Sequence, residues 1–320
     1  MLVLATLCWS VSFATMRALS LSQQEELPGA STWFISSYCV ALRFGLASAI
    51  MLLWCVRTVR GVTGSEFWQG LGLGVFGSAG LILQMDGLAH TDASVSAFLT
   101  QCYCLIIPFW IALLERRWPS RPVIVSCFLV MVGVAVLARV DWQSMRLGRG
   151  ELETLLGSVF FTGQILWLQR PCYARNNVNH FSLVMFVVMT LCALGLAVAS
   201  QHQPEHWIRA YAAPASWVLM AVLVVISTLG GYLLMNAWQP RLGATEAGLI
   251  YCAEPVFASL FGLFLPALLG GLVGIDYPNE TVGLRLLLGG GLITVANLWL
   301  QVAPPLAGRP RVPEGAAESA

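Results

Sequence analysis

Long apolar runs separated by short polar connections dominate the chain. A helix needs about 20 mostly apolar residues to cross a hydrocarbon core. Ten runs come near that length: Leu2–Leu19, Thr32–Val56, Phe67–Ala89, Ala93–Leu114, Val123–Leu137, Leu152–Leu168, Phe181–Ser200, Ala215–Ala237, Ala244–Leu269 and Val282–Val302. The fifth and sixth are the short ones. The pattern predicts an all-α integral membrane protein of ten transmembrane helices with no soluble domain inserted. From Ala303 onward Pro, Gly and Ala take over, so residues 303–320 are expected to form a disordered cytoplasmic tail.

Polar positions supply orientation. With the N-terminus placed in the cytoplasm, Arg57, Arg60, Arg116, Arg117, Arg121, Arg170, Arg175, Arg241, Arg309 and Arg311 all fall inside. Only Arg139, Arg146, Arg149 and Arg209 flank the outer side, an asymmetry that predicts both termini inside the cytoplasmic (inner) membrane. The first run has no positive leader and no small-residue cleavage motif, and it carries Trp9, Ser10 and Ser12, so it reads as a spanning helix and not a signal peptide. Gly70, Gly74 and Gly77 place small residues at helical spacing in the third run, where they permit close helix approach.

Composition sharpens the class. Hydrophobic residues make up 58% of 320 and charged residues 10%, against roughly 25% in soluble domains. A net charge of +1 gives no electrostatic case for nucleic acid. All 17 cationic side chains are arginine, so a lysine-bearing phosphate loop and Schiff-base chemistry are excluded. The nine cysteines have no C-x-x-C pair and read as small apolar packers. His202 and His206 have ligand-like spacing, but Pro204 between them breaks the helix, so neither a metal nor a cofactor is expected.

The chain also reads as one unit written twice. Ala97-Phe98-Leu99 leads to Pro108 in the fourth run, and Ala244-Thr245-Glu246 leads to Pro255 in the ninth. A glutamate then opens the way to the last helix of each half, Glu115 and Glu280. Pro108 and Pro255 are the expected helix breaks, with Ile107 standing where the second copy has Glu254. Five runs per half is an odd number, so the second copy must be inverted, an arrangement associated with secondary transporters. The repeats are placed at 1–140 and 150–302. The stretch over 259–280 has no counterpart and suggests a lengthened outer loop or a re-entrant segment.

Four elements carry a family likeness. Cys8-Trp9-Ser10-Val11-Ser12-Phe13 is similar to a tryptophan–glycine–x–asparagine–phenylalanine element, with serines in place of Gly and Asn. Ala41-Leu42-Arg43-Phe44 follows in the second run, Ala97-Phe98-Leu99-Thr100 before Pro108 in the fourth, and Glu254-Pro255-Val256-Phe257-Ala258 in the ninth. In this order they resemble EamA-type permeases of the drug/metabolite transporter superfamily over Met1–Val302. The resemblance implies a ten-helix carrier that moves small solutes without ATP.

Candidate chemistry concentrates at one depth. Arg43 and Glu254 both lie about eleven or twelve residues into their runs, roughly 16–18 Å deep and near the midplane of a core about 30 Å thick. A carboxylate there is a functional-site hypothesis. The two charges suggest either an ion pair or an arginine facing a solute carboxylate while Glu254 takes a proton or an amine. Tyr251 lies three residues before Glu254 on the same face. Gln101, Tyr103, Trp9 and Ser12 are candidates to complete the cavity wall. Asp86, Asp92, Glu246, Arg17 and Arg285 read as structural.

The expected function is a secondary active exporter or exchanger of small metabolites such as amino acids, working by alternating access around a midplane cavity. Its partners are a small-molecule solute, a coupled proton or counter-solute, the bilayer and, as an open option, a second copy in a homodimer. The alternative is a non-transporting membrane receptor or a membrane enzyme. An enzyme is disfavoured because the spans lack a histidine cluster, H-E-x-x-H or a serine dyad.

Overall fold

The computed structural model describes residues 1–90, 96, 99–116, 118–137, 148–201, 203–279, 281 and 283–302. Their regular structure is entirely helical. The first half contains α1 (Leu2–Glu26), α2 (Thr32–Trp54), α3 (Gly64–His90), α4 (Tyr103–Glu115) and α5 (Arg121–Leu137). The second opens with α6 (Arg149–Leu168), α7 (Val178–Ser200) and the short α8 (Pro204–Arg209). A π-helical stretch, Leu223–Gly230, then joins α9 (Pro214–Val222) to α10 (Gly231–Trp238). It ends with α11 (Ala244–Tyr251), α12 (Glu254–Gly262), α13 (Leu265–Val273) and α14 (Leu284–Val302). Asp92, Ala93, Ala97, Phe98, Arg117, Arg139, Arg146, His202, Glu280 and 303–320 lie outside the described residues, as do the side chains of Glu115 and Arg285.

Among the described residues, five helical units are long and apolar enough to cross a membrane: α1, α2, α3, α7 and the α9–α10 unit. A sixth unit, Ala244–Gly262 with Leu265–Val273, is bent by 64° at its break. Shorter apolar stretches lie at Tyr103–Leu114, Arg121–Val136 and Leu287–Ala296. The apolar runs are therefore not ten equal spans. The expected 259–280 loop is partly helical. It holds α13, which ends on Gly274 at φ 78°, and the Asn279 side chain returns to accept from the Ala267 amide at 2.8 Å.

The two prolines behave differently, which corrects the expectation that both mark breaks. Pro108 lies inside α4, and the break in that stretch comes earlier, at Gln101–Cys102. There the amides of Cys102 and Cys104 bond three residues back, to Leu99 and Gln101. Pro108 cannot donate to the Cys104 carbonyl. The Cys127 thiol of α5 donates to that carbonyl instead, at 3.3 Å, so α4 continues. Pro255 does sit at a break: α11 ends at Tyr251, Cys252 and Ala253 form a turn, and α12 starts with Pro255 in its first positions. The ninth run is thus three helices and not one.

Helix α3 is the hub, packed on both α6 and α7, while α2 packs on α7 and α5 on α14. Glycine allows this approach. A Cβ at Gly74 would stand 2.6 Å from the Val188 Cβ, and one at Gly70 would stand 2.6 Å from the Phe181 carbonyl oxygen. Gly74→Val is expected to cost about 1–3 kcal/mol by overpacking. Gly195→Ala, with nothing within 4 Å of its added methyl, should melt like the parent or slightly above it. Thermal unfolding of the purified protein in detergent reads both, and an unchanged Gly74→Val would refute this packing.

Candidate functional site

A cavity opens inside the bundle, walled by α1, α2, α3, α4, α6, α10 and the α11–α12 junction. The structure brings Trp9, Ser12, Arg43, Tyr103, Tyr251 and Glu254 together on its wall. Gln101 is buried behind them, its side chain against the Glu254 carboxyl group and its Oε1 without a hydrogen-bond partner.

Local structure explains the convergence. Trp9, Ser12 and Met16 follow helical spacing on α1 and face the cavity as one stripe. The Ser12 hydroxyl donates to the Trp9 carbonyl at 2.6 Å. The Trp9 ring meets Tyr232 and Tyr251 edge-on, with centroids 5.5 Å and 5.3 Å away. Ser10 lies 2.9 Å from the Glu254 carbonyl oxygen, which fastens α1 to the break before α12. The Tyr251 hydroxyl donates to Gln239 Oε1 at 2.9 Å, and Gln239 Nε2 donates to the Ile165 carbonyl at 2.9 Å. Glu254 therefore projects into the cavity from the first turn of a helix whose preceding turn is held on two sides.

Arg43 does not pair with Glu254. Its Nε donates to Thr228 Oγ1 at 2.5 Å and its Nη1 contacts Met16 Sδ at 3.6 Å. Among the described residues the ion pairs are Arg149–Asp86 and Arg149–Glu153, while His90 lies near Asp86 and His180 near Glu66, each a charge pair only if the imidazole is protonated. Tyr232 lines the same cavity as both side chains. Of the alternatives left open by the sequence, the direct ion pair is not formed. The cavity wall carries a guanidinium and a carboxyl group that do not pair with each other.

The EamA-like transporter family model matches residues 1–139 and 149–269. The chain belongs to that family. It is 25% identical to the uncharacterized transporter YcbK of Bacillus subtilis (strain 168) over 234 residues, covering 69% of this chain and 74% of that one. The uncharacterized transporter YyaM of the same organism is 22% identical over 238 residues, covering 70% and 75%. A solved crystal structure with 16% identity has the same fold, at a TM-score of 0.60 over 92% of this chain and 96% of its own. The protein is a multi-pass membrane transporter.

In this EamA-like transporter several wall residues escape a reading by motif. Thr228 holds Arg43 from within the π-helical stretch, and Tyr232 lies just beyond it. Gln84 and Gln164 add amides from α3 and α6. A polar residue deep in an apolar run was the available signal for both glutamines. Gly231 lies against the Trp9 indole, where an added Cβ would collide with Trp9 Nε1. Gly231→Ala is expected to displace the Trp9 indole and shift its fluorescence relative to a Trp9→Phe background. No such shift would mean that the ring does not rest on this glycine.

Proposed function

We propose that the protein is a secondary active exporter or exchanger of small zwitterionic metabolites such as amino acids. Arg43 takes the solute carboxylate, Glu254 takes its ammonium, and Trp9, Tyr232 and Tyr251 contact the apolar part. The observation that carries this reading is the Arg43 guanidinium and the Glu254 carboxyl group on one cavity wall with no ion pair between them. Burying two uncompensated charges is costly, and a ligand bearing the complementary charges relieves that cost.

Alternating access is supported by the breaks at Gln101–Cys102 and Cys252–Ala253, which stand beside the cavity on segments from the two halves of the chain. The two matched segments, 1–139 and 149–269, support two inverted five-helix repeats. We place both termini in the cytoplasm of a cell-membrane protein, on arginine placement. A proton or counter-solute would exchange on Glu254, and homodimer formation is open to crosslinking.

The test is counterflow in proteoliposomes with neutral amino acids, monocarboxylates and monoamines as competitors, beside ligand-induced thermal stabilisation. Zwitterions should compete and stabilise, and the single-charge analogues should do so at least about tenfold more weakly, the effect of losing about 1.4 kcal/mol. Absence of flux and of stabilisation across the panel would overturn the proposal.

A further inference from the structure

We propose that Asp86, Glu153 and Arg149 form a one-proton site that latches the end of α3 to the start of α6, separate from the central cavity. Arg149 Nη2 donates to Asp86 Oδ2 at 2.6 Å, and Arg149 Nε donates to Glu153 Oε1 at 2.7 Å. These two N–H groups run parallel along one edge of the guanidinium. That edge ordinarily grips both oxygens of a single carboxylate. Here it holds one oxygen from each of two acids, so the two carboxyl groups lie side by side along that edge.

Charge balance then calls for a proton. Asp86 is fully buried, and its other oxygen, Oδ1, has no partner. Glu153 Oε2 is likewise buried without one. One guanidinium balances one carboxylate, and a second anion beside the first would be uncompensated. Two carboxyl groups side by side resolve this by sharing a single proton, which belongs to the pair and not to either residue. The protonated pair with Arg149 is neutral overall and keeps both guanidinium bonds.

Among the described residues, the other titratable and charged groups near the pair are already engaged elsewhere or lie farther off. His90, on α3, has Nε2 3.7 Å from Asp86 Oδ2 and 3.3 Å from Thr32 Oγ1. Arg17, on α1, donates to the Leu88 carbonyl at 3.4 Å. Glu151, on α6, accepts from the Gly148 amide at 2.9 Å. From α2 comes the Trp33 ring, 5.5 Å from the Arg149 guanidinium, which adds to the attraction for the cation. A polar ladder leads from this corner to the cavity wall: Thr154 pairs with Ser96 at 3.2 Å, Thr100 donates to the Ser96 carbonyl at 2.9 Å, and Gln84 donates to Thr100 at 3.0 Å. The latch thus holds α3, which carries Gln84, against α6, whose Thr154 reaches Thr100 through Ser96.

When the shared proton leaves, two anions face each other over one cation and the α3–α6 corner loosens. Glu153→Gln imitates the protonated state, since its carbonyl still accepts from Arg149 and its amide donates to Asp86. The test is the melting temperature of the full-length purified protein from mildly acidic to mildly alkaline pH, with infrared detection of protonated carboxyl groups.

The parent should lose about 2–4 °C as the pair deprotonates, equivalent to about 1 kcal/mol in a chain of this size class. Glu153→Gln should abolish that step and one protonated-carboxyl band, while His90→Gln keeps both. If Glu153→Gln does not fold, Asp86→Asn makes the same comparison, with its amide donating to Glu153. A step and a band unchanged in the acid variants would overturn the proposal, as would a step abolished by His90→Gln alone. Neither readout depends on solute transport.

Discussion

Glu254→Gln is expected to lower zwitterion counterflow by about 10²–10³-fold while the purified protein stays as stable as its parent. The change is isosteric and keeps an amide-compatible neighbour in Gln101, whose side chain already lies against this carboxyl group. Because Glu254 has no ion-pair partner among the described residues, the substitution strands no protein cation. What it strands is the ammonium of the bound solute. Truncating one side of a buried, hydrogen-bonded charge pair costs about 2–5 kcal/mol, and each 1.4 kcal/mol is about tenfold.

Selectivity should move in the same experiment. A monocarboxylate no longer meets an unpaired anion in Glu254→Gln, so it should compete better there than in the parent. Arg43→Lys makes the complementary change. It keeps a positive charge but loses the planar donor fixed to Thr228, and an ammonium cannot reproduce the two-pronged grip on a carboxylate. Proteoliposome counterflow with a labelled neutral amino acid reads all three effects. Parental flux and unchanged preference in Glu254→Gln would end the two-ended binding scheme.

Single polar residues inside apolar runs are legible because hydrocarbon makes them expensive, so Arg43 and Glu254 could be found by eye, and depth alone placed them at one level. Tyr251 follows from Glu254 by helical spacing, and Trp9 and Ser12 are candidates as polar or aromatic residues of the first run. Spacing also marks the limit. Thr228 and Tyr232 sit in and after the π-helical stretch Leu223–Gly230, where the turn takes more residues than the 3.6 that periodic reading assumes. Every face beyond that stretch is rotated relative to an α-helical projection. The Pro108 misreading has a similar root: a thiol from another helix supplies the donor that proline lacks, and a partner remote in sequence leaves no local signal. In the sequence Asp86 reads as structural and Arg149 only flanks the outer side; packing alone brings them together across 63 positions, with Glu153 on the same guanidinium edge.

Glu66→Ala should destabilise the protein by about 2–4 kcal/mol without touching the cavity, since each buried donor left unsatisfied costs about 1–3 kcal/mol. Glu66 is buried at the start of α3, and three groups depend on it. Its Oε2 accepts from the Thr63 amide at 2.8 Å and meets His180 Nδ1 at 3.0 Å, while its Oε1 accepts from the Asn177 amide at 2.9 Å. The Glu66 amide in turn donates to the Thr63 hydroxyl oxygen at 3.3 Å, which completes a capping box. Asn177 is the N-cap of α7, so a single carboxylate ties together the starts of the two helices that Gly70 and Gly74 allow to close. A drop of roughly 6–12 °C in melting temperature follows from about 3 kcal/mol. The double variant Glu66→Ala/His180→Ala separates the causes. If the His180 contact were the main loss, removing both partners would recover most of the stability. Two backbone amides remain without an acceptor in either case, so the double variant should melt no higher than the single one.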